Sequence, residues 1–295
     1  MPLRLAITFL WGIIFAAHVC AQTVDPYSYN AIAGFANRLV EQREYYRAYQ
    51  EYQRLYYYYP SLYPYDAFFM ASLYCQYQGK QYQLILDRVG NNLQVKPPVW
   101  IFAFDAAFSD ISQNLTHIVM SAPTIESSNN EKTEYETMVL KRKLAYSLLA
   151  GDNYNELSPY TALAKEFELQ RIYQYTTFTR DNLKNPYAAL GWGILPGAGY
   201  IYSDNTENGI IAAIVIGVCA VVTYYAVDSG NSGIAFVTGA AGTFFYGGSI
   251  LGGYLAAKKT NNQITKELRA YLEEELKFEQ DREIIFNRYG KPKTQ

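Results

Sequence analysis

Between Gly209 and Ala257 the chain runs 49 residues with a single charge, Asp228. Fourteen of its 20 glycines fall between Gly191 and Gly253. A soluble domain seldom carries two adjacent apolar runs so poor in charge. A bilayer requires them, because hydrocarbon solvates neither charges nor unpaired backbone groups. The turn formers Ser229-Gly230-Asn231-Ser232 split the run. Gly209–Val227 and Gly233–Ala257 then make helices of roughly 28 and 37 Å at about 1.5 Å per residue. Either crosses a hydrocarbon core of about 30 Å, the longer one with tilt. The expectation is a glycine-rich transmembrane hairpin inside a membrane segment spanning residues 185–257.

The approach to this hairpin is as distinctive. Pro186 disfavours helix at Asn185 and can open the next helix at its first position. Tyr187–Leu195 reads as a short apolar helix stopped by Pro196-Gly197. Gly197 and Gly199 suit a sharp turn or positive φ, and Tyr200 and Tyr202 suit a water–lipid boundary. The pairs Gly248/Gly252 and Ser249/Gly253 give flat faces for close helix approach, within the hairpin or between copies in a homo-oligomer. A signal sequence would place the preceding domain outside the cytoplasm, whereas Lys258, Lys259, Lys266 and Arg269 prefer the cytoplasmic side. Three crossings would satisfy both. Residues 187–202, however, are short for a crossing and broken by Pro196. We therefore expect a re-entrant 187–202 with two full crossings, 209–227 and 233–257, and a charged helical tail, 258–295.

The run Asn185-Pro186-Tyr187-Ala188-Ala189, then Pro196-Gly197-Ala198-Gly199-Tyr200-Ile201-Tyr202, then Phe244-Phe245-Tyr246-Gly247-Gly248-Ser249, resembles a segment of about 75 residues found in bacterial envelope proteins. Those proteins carry an N-P-x-x-A start, a P-G-A/S-G-x-x-Y core and an F-Y-x-G-N-type second helix. This chain departs from the pattern at Tyr200, where a Gln is frequent, and at Ser249, where an Asn is frequent. In such proteins the segment often comes after a signal sequence and tetratricopeptide-like helices. The resemblance implies architecture and a bacterial cell-envelope location, the inner membrane by preference; it implies no reaction.

The N-terminus fits that order. Arg4, the apolar Leu5–Ala17 and Val19-Cys20-Ala21 form a secretory signal, residues 1–21, with lipidation at Cys20 or an uncleaved anchor as the other readings. Residues 22–184 read as a helical, tetratricopeptide-like domain. Ile32, Phe35, Ala36 and Leu39, then Ala48, Tyr52 and Leu55 before Pro60, match the spacing of one repeat. Ala67, Phe68, Ala71, Ser72 and Tyr74, then Tyr82, Ile85 and Leu86 before Pro97-Pro98, match a second. Leu140, Leu144, Ala145 and Leu148, then Tyr154, Leu157 and Leu163, make a looser third. An irregular helical bundle accounts for the same pattern. Either way the fold class is all-α.

Chemistry-bearing patterns are sparse. His117 has no second ligand at metal spacing, Gly197-Ala198-Gly199 lacks the Lys-Ser/Thr of a phosphate loop, and Glu273-Glu274-Glu275 suits a solvated helix face. Cys75 and Cys219 suit buried positions with no disulfide partner. Asp228, beside Ser229-Gly230, suits a turn at the membrane surface. A net charge of −2 offers no nucleic-acid surface. We expect no catalytic residue, metal or cofactor. Ten tyrosines between Tyr45 and Tyr65 stand out. One helix cannot bury the four consecutive rings Tyr56–Tyr59 on one face. Tyr52, Tyr56, Tyr57, Tyr58 and Tyr59 are therefore candidate partner-binding residues, with inter-repeat packing or lipid or sugar contact as the other uses. Together these features suggest a membrane-anchored, non-enzymatic scaffold that binds protein partners through its helical domain. An oligomeric transporter or channel subunit is the second reading, disfavoured by the lack of charges within the spans.

Overall fold

A computed structural model describes residues 25–90, 98–109, 129–151, 160–164 and 166–293. The expected signal sequence, His117 and the first half of the third repeat's second helix (Tyr154, Leu157) lie outside the described residues. Among the described residues the chain is helical throughout, with no strand. The helices are α1 (Tyr29–Glu41), α2 (Tyr45–Tyr58), α3 (Tyr65–Gln78), α4 (Tyr82–Gly90), α5 (Val99–Ser109), α6 (Asn129–Ala150), α7 (Leu169–Asp181), α8 (Pro186–Trp192), α9 (Ala198–Tyr202), α10 (Thr206–Asp228), α11 (Ser232–Glu275) and α12 (Phe278–Ile285). A π-helical turn, Phe286–Gly290, closes the described chain.

The chain divides into two compact units. The first joins the residues up to Ala106 with those from Gln280 onward. Ser28 caps α1 by accepting from the Ala31 N–H at 3.3 Å, satisfying one of the unpaired donors of the first turn. Ile32, Ala36 and Leu39 are buried at helical spacing, as are Ala48, Tyr52 and Leu55 of α2, while Phe35 faces outward. Arg43 at φ 61° makes the tight connection between α1 and α2, and Lys80 at φ 58° does the same between α3 and α4. α3 is buried almost continuously from Phe68 to Tyr77, because α2, α4 and the C-terminal π turn all pack against it.

The second unit spans Ala107–Glu279. Its core gathers Phe108, Leu144, Leu148, Leu163, Phe167, Ile172, Leu268, Leu272, Leu276 and Phe278. Arg142 is fully buried there, its guanidinium 4.1 Å from the Phe278 ring centroid and donating to the Met138 and Phe278 carbonyls at 3.1 and 3.4 Å.

Two expected boundaries move. The helix expected to end at Ala257 runs on unbroken to Glu275, 44 residues in all. Nothing in Lys258–Glu275 stops a helix, and Leu268 and Leu272, one turn apart, bury against α6 and α7. The first break is Leu276-Lys277, with Lys277 at φ 57°. The expected 22–184 domain is also divided. α6 and α7 pack with α11, and the charged tail, instead of standing apart as 258–295, contributes its last residues to the first unit.

Ala48 is fully buried and Tyr58 is 58% exposed. Ala48→Trp in the full chain should destabilise the first unit by about 1–3 kcal/mol through overpacking. Tyr58→Ala should change stability by less than about 0.5 kcal/mol. Denaturant titrations of the detergent-purified variants check both values.

Candidate functional site

The residues singled out by sequence fall into two places, each inside one unit. The first is the segment from Lys184 to Asn205. Asn185 caps α8, its Oδ1 accepting from the Tyr187 and Ala188 N–H groups at 2.9 and 3.3 Å, with Pro186 at the first helical position. α8 stops at Trp192, the chain turns through an exposed Pro196, and Gly197 adopts φ +82°. α9 then leads back to α10.

Both ends of this segment meet at one level of α11. Lys184 Nζ lies 3.0 Å from Asp204 Oδ2, and Asn185 N donates to the Tyr202 hydroxyl at 3.2 Å. The Asn261 side chain accepts from Lys184 N at 2.8 Å and donates to Lys184 O at 2.7 Å. Thr260 Oγ1 donates to Ser203 O at 3.0 Å. The middle of the segment touches α11 fifteen residues earlier, where the Tyr246 hydroxyl donates to Ile194 O at 2.9 Å. That is about 22 Å back along the helix at about 1.5 Å per residue. The segment therefore runs out and comes back beside α11.

Close packing holds it there. A Cβ on Gly253 would stand 2.8 Å from Gly199 Cα, and one on Gly199 would stand 2.6 Å from Ala189 O; these are backbone atoms that cannot yield. Ser249 Oγ accepts from Gly197 N at 3.1 Å, and Ser203 Oγ donates toward Gly199 O and Gly253 O at 2.8 and 3.0 Å. The Ser249/Gly253 pair is thus the face this segment uses. Gly252 instead sits against the Tyr200 ring end, and Gly248 has open space beside it. Tyr202 is half-buried over the Lys184 ammonium, 5.9 Å from its ring centroid. Farther along the hairpin, Thr223 and Thr238 hydroxyls meet at 2.8 Å and join α10 to α11. Sequence patterns give no sign of Ser203, Asn261 or this threonine pair, because single hydroxyls and amides carry no periodic signal.

The second place is the tyrosine cluster, whose rings separate as four consecutive positions on one helix must. Tyr57 and Tyr58 are presented to the outside, 77% and 58% exposed, in an edge-to-face pair. Tyr56 stacks on Phe68 at 5.2 Å, and Tyr59 donates to Tyr27 O at 2.7 Å. Tyr52 corrects the expectation of a partner-facing ring: it is fully buried, donates to Asn37 Oδ1 at 3.1 Å, and packs its ring beside Tyr63 and Phe286.

Phe286 belongs to the C-terminal segment, which occupies a seat lined by inward-facing rings. Phe286 stacks on Tyr74 at 4.3 Å. The Tyr63 hydroxyl donates to Gly290 O at 2.7 Å. Arg282 lies 4.0 Å from the Tyr77 ring centroid and pairs with Asp105 at 2.8 Å, both side chains being almost wholly buried. Burial holds the Tyr52 and Tyr63 hydroxyls well above their ordinary ionisation range and pushes the Cys75 thiol up to about 12. Cys75 is therefore a packed side chain with little thiolate character. Among the described residues no three His, Cys, Asp or Glu side chains gather as a metal site. No family model, curated protein or solved structure matches the chain.

Gly253→Leu should expel the Lys184–Asn205 segment from α11, whereas Gly248→Leu should leave it in place, because only the first adds atoms where backbone already stands. Protease cleavage near Trp192 in detergent micelles, rising for the first variant alone, checks this. Alkaline pH gives another expectation. Groups whose ionisation is raised by folding contribute stability in full below their unfolded values, about 8.5 for Cys and 10 for Tyr, and lose it as pH rises past them. The denaturation midpoint of the first unit should be flat up to about pH 8.5 and fall above it, less steeply in Tyr52→Phe.

Proposed function

We propose that this is a membrane-anchored, non-enzymatic interaction protein of the bacterial cell envelope, held in the inner membrane by α10 and α11. Its tetratricopeptide-like helices would lie outside the cytoplasm and hold protein partners, with no nucleic acid or cofactor involved. The observation that carries the anchoring is the outward surface of the hairpin. Ile210, Ile214, Val218, Val221, Phe236, Val237, Phe244, Leu251 and Leu255 are all exposed, on two helices long and apolar enough to cross a membrane. In water such a surface would be an aggregation site; in lipid it is the favoured state. Support for partner binding comes from Tyr57 and Tyr58, adjacent aromatic rings exposed on the outer face of α2.

The returning path of the Lys184–Asn205 segment favours two crossings, with α7 and the polar end of α11 on one side. Cysteines at the exposed positions Gln170 and Glu274 should then both react with an impermeant maleimide from outside the cell, and one at Ser229 should not. Labelling of Gln170→Cys without Glu274→Cys would instead indicate three crossings. The protein should stay with membranes in high salt and urea. Photoreactive side chains at Tyr57 or Tyr58 should capture a specific protein partner in intact cells, and capture of lipid alone would refute the scaffold reading.

A further inference from the structure

We propose that the seat formed by Tyr63, Tyr74, Tyr77 and Asp105 is a recognition site for a short helical protein segment. Its ligand carries an arginine and an aromatic residue four positions apart, and the chain's own Arg282–Gly290 occupies the site in cis. This deepens the interaction reading above and rests on it. It assigns the partner chemistry to the inner aromatic seat as well as to the exposed rings of α2.

Three features of the docked segment define what the seat reads. Arg282 enters between the Tyr77 ring and the Asp105 carboxylate. One helical turn later, Phe286 lies flat on Tyr74 and edge-on to Tyr52. One further turn on, the Gly290 carbonyl accepts from Tyr63, and a Cβ at this position would stand 2.9 Å from the Ala71 backbone nitrogen. Charge, ring and a close-approaching glycine recur at intervals of four, as anchors do when a helix lies in a groove.

The rest of the first unit is local in sequence. α1 packs on α2, α2 on α3, and α3 on α4, each helix on the next in the chain. Among the described residues of this unit the C-terminal segment comes from far away in sequence, its contacts bridging 177 residues at Asp105 and 227 at Tyr63. Its hold includes a buried ion pair, whose attraction is largely offset by the desolvation of both charges. Such a segment can leave while the sequence-local helices stay paired. While docked it acts as a tethered competitor, with the high effective concentration of any intramolecular ligand.

The test uses the full chain in detergent and a fluorescent peptide of residues 278–293 as probe. The variant Arg282→Ala/Phe286→Ala, with an emptied seat, should bind the peptide one to one. Wild type should bind it at least about tenfold more weakly, because its own segment competes. A peptide carrying the same two substitutions should not bind, and Asp105→Asn added to the variant should weaken capture of the unmodified peptide. A helical variant that fails to capture the peptide overturns the proposal. Hydrogen exchange on wild type covers the case in which the variant unfolds. Residues 280–290 should exchange faster than α3, and their opening together with α3 as one cooperative unit would overturn the proposal and make the segment plain core. Failure of photocapture at Tyr57 with success of the peptide assay would remove the outer surface and leave this site standing.

Discussion

Every backbone group taken away from water needs a partner, and that requirement organises the chain from Lys184 to the end of the apolar hairpin. A straight helix meets it alone. The Lys184–Asn205 segment cannot, because Pro196 and Gly197 interrupt its internal ladder. Its freed groups are met by α11: Gly197 N by Ser249, Ile194 O by Tyr246. Ser203 in turn ties Gly199 O to Gly253 O. Glycines let the backbones come near enough for these short side chains to reach. Small residues and hydroxyls are therefore two parts of one solution. At the mouth of the segment the partners become fully polar, with Asn261, Thr260 and the Lys184–Asp204 pair.

The same helix sets the limits of the second unit. α11 is apolar and outward-facing to about Leu255, then charged, yet unbroken. Its polar extension buries Leu268 and Leu272, with Leu276 just beyond its end, against α6 and α7. Within the second unit, the hairpin is thus packed through this extension against α6 and α7. Arg171, held at 2.7 Å by Glu275, and Lys277, at 3.2 Å from Glu166, sit on the outside of that packing and add little beyond orientation.

Periodicity and absolute demands decide which parts of this structure are legible in the sequence. The hairpin is legible because a run of 49 residues with one charge, split by turn formers, leaves two long apolar helices as its natural form. The Ile32–Leu39 and Ala48–Leu55 faces are legible because burial recurs at 3.6 residues. The stop at Pro196-Gly197 is legible because proline and positive φ leave few choices. The partners of Asn261 and Ser203 are not, since they are fixed only once two distant segments meet. Phe35 and Tyr52 show the limit of periodicity from both sides. Phe35 has core spacing and lies outside. Tyr52 resembles the presented tyrosines by composition, yet it is the one of Tyr52 and Tyr56–Tyr59 that is wholly buried.

The largest departure is the C-terminal segment, and its cause is physical. Lys258–Glu275 is rich in charge, so the chain beyond it reads as a solvated tail. Yet Phe278, Ile285 and Phe286 are buried, and Arg282 with them. A charged residue is rarely buried without a counter-charge, and Glu279, Asp281 and Glu283 beside Arg282 in the sequence suggest local pairing rather than a distant one. Asp105, 177 residues earlier on the apolar helix α5, is the complement. A lone carboxylate on such a helix and an arginine beside aromatic residues in a terminal helix are each commonplace. Together they are two halves of one buried contact, and each is costly to bury without the other. The Tyr-rich helices thus present two aromatic surfaces of different kinds. The outer one, at Tyr57 and Tyr58, is open. The inner one is already occupied, by a segment that begins shortly after α11 ends.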